Sequence, residues 1–81
     1  PDFFALPPVL QHFIYAHECA HLVAVGPDET AADCWAVQVG RNQGWLAPSG
    51  LELVGRYFAN SPGDWTHAPG LVRVRRMWQC F

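Results

Sequence analysis

The chain predicts a mainly α fold, a small domain of about four helices with little or no sheet, on three observations. Small or apolar residues recur three and four apart: Ala16, Ala20 and Ala24; Ala32 and Ala36; Leu51, Val54 and Phe58; Leu71, Val74, Trp78 and Phe81. Breakers separate these runs at Gly26-Pro27-Asp28, Asn42-Gln43-Gly44 and Asn60-Ser61-Pro62-Gly63-Asp64. With 51% hydrophobic and 15% charged residues, the 81-residue chain has the composition of one small soluble domain, 1–81, rather than a disordered tail.

Each element has its own warrant. Pro1 to Pro8 is apolar and broken by Pro7-Pro8, so it reads as an extended lead-in. The first helix should run from about Val9 to Val25, its alanine row allowing a neighbour to come close. Gly26 is the stop, and Pro27-Asp28 opens a second helix from about Asp28 to Gln38, extending towards Arg41. Two helices joined by so short a turn pack antiparallel. A third should begin at Pro48 or Ser49 and reach about Ala59, and a fourth should run from about Gly70 to Cys80.

Charge and length exclude some partners. The net charge is −2, with five arginines and no lysine, so no basic field attracts nucleic acid and no charge run suggests an anionic membrane. No apolar run approaches the length of a membrane span, and no secretory leader pattern opens the chain. The chain begins at Pro1 rather than methionine and reads as a processed or excised piece, so the missing leader says nothing of the parent. A chain this short buries only roughly 60% of its extended surface and gains from a metal or a disulfide. Cys19, Cys34 and Cys80 show no C-x-x-C spacing. They are either three buried thiols or a single disulfide from Cys80 to Cys19 or Cys34, and a bridge would favour an extracytoplasmic or secreted setting.

Inside the first helix stands His17-Glu18-Cys19-Ala20-His21, an H-E-x-x-H. At about 100° per residue, His17 and His21 share a face and can offer ring nitrogens to one metal ion, with Glu18 placed to take a proton from a water there. Cys19 lies about 200° from His17 and His12 about 140° away, so both leave the metal face, and His12 is assigned to surface or packing. Zinc needs a third protein ligand. If the hairpin turns near Val25, residues whose numbers sum to about 50 lie level, which sets His21 against Glu29 and His17 against Asp33. Glu29 then completes a His2Glu site, and Asp33 accepts a hydrogen bond from the outer nitrogen of His17. The alanine rows let the two axes approach closely enough for this.

H-E-C-A-H followed by E-T-A-A-D resembles the H-E-x-x-H plus E-x-x-A-D signature of the gluzincin metallopeptidases. It is most similar to the group that includes the CAAX prenyl endopeptidases and small bacterial neutral zinc metallopeptidases. Thr66-His67-Ala68-Pro69, with Arg73 six residues after the histidine, is similar to the T-H-P-x-x-x-x-R stretch near the end of those domains, except that Ala68 stands where the family proline usually does. The resemblance spans about His17 to Arg73. It implies a zincin-like active-site helix hairpin, Zn2+ on His17, His21 and Glu29, water activation by Glu18, and support of a histidine by Asp33. It also implies places near the substrate and the developing oxyanion for His67 and Arg73.

Two departures qualify it. Gluzincins bind peptide along the edge of a sheet upstream of the motif helix, and only sixteen residues precede His17. The short step from His21 to Glu29 leaves no room for a subdomain between the helices. Metzincins are excluded, since they would need Gly and His where Ala24 and Pro27 stand.

The expected function is a zinc metalloendopeptidase that hydrolyses peptide or protein substrates through zinc-activated water, with Glu18 as general base. The rival is a non-catalytic zinc-binding helical module lacking a full substrate cleft, and a third reading completes the site by self-association. Arg75 and Arg76 are read as solvated cations of a last helix. Trp35, Trp45, Trp65 and Trp78 are read as core or subunit contacts.

Overall fold

A computed structural model describes residues 3–59 and 69–81. Among them it shows four α-helices and no strand, as the periodicity predicts: α1 Pro8–Val23, α2 Glu29–Gln43, α3 Pro48–Phe58 and α4 Gly70–Cys80. A short 3-10 turn, Phe3–Ala5, precedes α1 in place of a fully extended lead-in. No helix among the described residues is long and apolar enough to cross a membrane.

The ends of the helices follow their local chemistry. Pro8 opens α1 at a position that needs no backbone donor, and Gln11 turns back to donate to the Leu6 carbonyl at 2.8 Å. α1 ends two residues before Val25, because the Val25 amide bonds the Ala20 carbonyl and Gly26 takes φ 61°, which reverses the chain. Asp28 caps α2 by accepting from the Ala31 amide at 2.9 Å. α2 runs on past Gln38 to Gln43 and stops only at Gly44, at φ 86°. Asn42 and Gln43 are tolerated in a last helical turn, whereas the left-handed cap calls for the glycine.

The core gathers Leu10 and Phe13 from α1, Ala36 and Val37 from α2, Leu51 and Val54 from α3, and Met77 from α4, with Leu46 from the α2–α3 connection. Ala16, Ala20, Ala32 and Ala36 are all buried, while Ala24 falls past the end of α1 and is exposed. Trp35 and Trp45 pack on this core, Trp78 is largely exposed, and Trp65 lies outside the described residues.

α4 turns inward a face that its apolar spacing does not mark. Leu71 is 67% and Trp78 42% exposed, and the buried positions are Gly70 and Met77. The helix is turned by about one residue from its apolar stripe. Met77 in the core holds that rotation together with two links to α2, a disulfide from Cys80 to Cys34 and an ion pair from Arg73 to Asp33. The Cys34–Cys80 bridge settles the cysteine alternatives and leaves Cys19 as a part-buried thiol. Spanning 46 residues, it removes unfolded-chain entropy worth about 4 kcal/mol in the loop-closure account.

Gly40 is where the chain leaving α2 crosses back over it. The Leu46 amide donates to the Gly40 carbonyl at 3.0 Å, and a Cβ at Gly40 would lie 2.7 Å from the Leu46 Cβ and 2.9 Å from the Trp45 ring. Gly40→Ala should therefore destabilise the domain by about 1–3 kcal/mol despite its better helix propensity. Urea unfolding of the two proteins checks this, and an unchanged midpoint would contradict the crossing.

Candidate metal centre

α1 and α2 bring together the four residues that the hairpin register sets level. His17 and His21 stand one turn apart on α1, and Glu29, the first residue of α2, faces them across the Gly26 turn. The Nε2 atoms of His17 and His21 lie 3.2 Å apart, and Glu29 Oε1 is 2.9 Å from the first and 3.0 Å from the second. These three residues form a group able to hold a metal ion.

The outer nitrogens decide what the inner ones can do. His17 Nδ1 is 2.8 Å from Asp33 Oδ1, and His21 Nδ1 is 2.6 Å from the Gly26 carbonyl. Both partners are acceptors, so each Nδ1 carries a hydrogen and donates it. That assignment leaves a lone pair on each Nε2 in the neutral rings. Two nitrogen lone pairs and a carboxylate oxygen then meet within hydrogen-bonding distance, a cluster of acceptors that repel unless positive charge sits among them. A divalent cation meets that demand, and so does a proton. The Gly26 carbonyl at Nδ1 raises the pKa of His21; desolvation opposes it, and Glu29 adds to the rise.

Asp33 is the deepest part of the arrangement, only 3% exposed. Besides His17 it accepts two bonds from Arg73, Nε to Oδ2 and Nη2 to Oδ1, each 2.9 Å. The Arg73 guanidinium also stacks over the Phe58 ring, 4.6 Å from its centroid. Burial alone would raise the Asp33 pKa, but the bonds from His17 and Arg73 outweigh it and hold the carboxyl below its usual range. Arg73, which the resemblance sets near the oxyanion, thus lies behind His17 with its fork engaged by Asp33. Neither this fork nor the His21–Gly26 bond has a signature in the sequence. The first joins residues 40 positions apart, and the second uses a backbone acceptor.

In front of the triangle an open depression is lined by Glu18, His21, Gly26, Pro27 and Glu29. Glu18 is 70% exposed, with Oε1 3.8 Å from His17 Nε2, so its carboxylate stands at the rim. It also borders a smaller hollow formed by Phe13, Ile14, Tyr57, Phe58 and Arg73. His12 sits on the surface beside Trp45, with ring centroids 5.1 Å apart. His67 lies outside the described residues, as do Thr66 and Ala68.

No protein-family model, curated protein or solved structure matches this chain.

The lowered pKa of Asp33 carries a sign. Its contribution to stability is present above the unfolded value near 3.8 and is lost as pH falls through the lower folded value. Asp33→Asn should remove that part of the acid dependence and cost about 3 kcal/mol at pH 7, because Arg73, its side chain only 12% exposed, is left beside a neutral group. Denaturant midpoints from pH 2 to pH 7 show this, and an acid limb parallel to wild type would exclude Asp33 as its source.

Proposed function

We propose that this chain is a zinc-dependent metallopeptidase of gluzincin type, in which His17, His21 and Glu29 hold the metal and Glu18 is the general base. The observation that carries the reading is the convergence of two tautomer-fixed imidazoles and one carboxylate beside a second, exposed carboxylate. Around a tetrahedral ion with bonds near 2.0 Å, ligand atoms are separated by about 3.3 Å. The sides of the triangle, 2.9, 3.0 and 3.2 Å, fit this after a shift of a few tenths of an ångström. Two imidazoles and a carboxylate suit zinc better than calcium or magnesium, which favour oxygen ligands. Zinc, when bound, acts as a Lewis acid and lowers the pKa of a water it holds towards 7.

The chain's own residues supply the rest. Asp33 and the Gly26 carbonyl hold both rings with their lone pairs inward, and the Asp33 carboxylate makes the His17 ring a stronger donor. The open depression gives an extended peptide access from solvent. Glu18 takes a proton from the attacking water as the water's oxygen bonds to the peptide carbonyl carbon. It then hands that proton to the leaving nitrogen as the C–N bond breaks. A metal site needed only for folding has no use for such a base, and this favours the peptidase over a purely structural module. The rival reading, a non-catalytic zinc module, draws on one feature: no strand flanks the depression among the described residues.

Glu18→Gln should keep one zinc per chain by elemental analysis while casein hydrolysis falls by about 10²–10⁴-fold. Unchanged turnover would remove Glu18 from its role, and a wild-type chain with a full zinc complement but no hydrolysis would favour the structural module. Because a metal that binds only the folded chain adds to its stability, a chelator should lower the melting temperature of wild type. His21→Ala and Glu29→Ala should melt lower and no longer respond to chelator. A wild-type scan indifferent to chelator would overturn the metal site itself.

A further inference from the structure

The disulfide and the metal centre meet on α2. Cys34 follows directly after Asp33, whose carboxylate orients the His17 ring. Their partners, Cys80 and Arg73, are seven residues apart on α4, about 20° short of two full turns, so both project towards α2. The bridge brings the Cα atoms of Cys34 and Cys80 to 5.7 Å, and on α2 it starts at the residue after Asp33.

The other hydrogen bonds between the two helices are weaker. Gln38 donates to the Cys80 carbonyl, Arg41 to the Phe81 carbonyl and Arg76 to Thr30 Oγ1, all exposed, so water competes for each. α4 has 11 residues, too few to be stable as an isolated helix, and depends on Met77 in the core and on these anchors.

We propose that the Cys34–Cys80 disulfide is a redox control on the metal centre, holding Arg73 against Asp33 and thereby setting the affinity of His17, His21 and Glu29 for their cation. A dithiol reductant opens it, leaving as its own disulfide while its two electrons and two protons convert the Sγ–Sγ bond into two thiols. α4 then loosens and Arg73 no longer neutralises the buried Asp33 carboxylate. The His17 ring loses its fixed orientation, and metal is released more readily. The inference rests on the metal-binding reading above, and its test separates the two.

Zinc affinity is measured by competition with a chromophoric chelator in four disulfide-defined proteins: wild type, Cys34→Ser/Cys80→Ser, Arg73→Met, and all three substitutions together. Serines stand in for the reduced state because dithiols themselves bind zinc. The serine pair and Arg73→Met should each weaken binding about 10–100-fold, the range seen when the support of a metal ligand is removed. The combined variant should be little weaker than either, because both act through Asp33. Wild-type affinity in the serine pair, or fully additive losses, overturns the proposal, whereas a wild type that binds no zinc overturns the metal site first. Coupling is reciprocal, so zinc should also slow amide exchange across α4 in the native disulfide-bonded chain, and less so in Arg73→Met. α4 amides indifferent to zinc overturn the proposal even if the serine pair does not fold.

Discussion

A carboxylate with almost no solvent contact, Asp33, joins three of the four helices. It accepts from His17 on α1 and from both arms of the Arg73 fork on α4, while its own backbone belongs to α2. An ionised group at that depth is costly unless its oxygens are fully engaged, and here three bonds engage them. The need to satisfy Asp33 therefore places α4 and locks the His17 ring. It also makes the two helices of the motif depend on a third that lies far along the chain. Phe58 under the Arg73 guanidinium brings α3 into the same arrangement.

Packing makes room for this polar chain. Ala16, Ala20, Ala32 and Ala36 are buried, and small side chains there let the axes of α1 and α2 come close enough for His17, His21 and Glu29 to converge. The turn does double duty. Gly26 adopts a left-handed conformation that reverses the chain, and its carbonyl, pointed back at His21, selects the ring tautomer. Glu29 follows the Asp28 cap and so starts α2 with its carboxylate at the mouth of the site. In a domain this small, with fewer than a dozen buried apolar side chains among the described residues, covalent and ionic ties carry weight that a larger core would otherwise supply.

The contrast between α1 and α4 shows what periodicity can and cannot reveal. On α1 the four-residue spacing of the histidines and the alanine row state which face is used, and the structure uses it. On α4 Leu71 and Trp78 of the apolar stripe turn to solvent, because Met77 and the bonded Arg73 and Cys80 hold the adjoining face inward. Hydrophobic spacing carries no record of an ion pair or a disulfide made with residues some forty positions away. Arg73 illustrates the same limit, since its place behind His17 follows from a partner on another helix.

The amino-acid order alone determined the helices, the reversal at Gly26, and the level setting of His17 and His21 against Glu29 and Asp33. These depend on helical pitch and on breakers acting over a few residues. Only the tertiary structure decided which face of α4 turns inward, which cysteine Cys80 joins, and what engages Arg73. Those choices arise from pairing buried charge and thiols across the whole chain, where no local period operates.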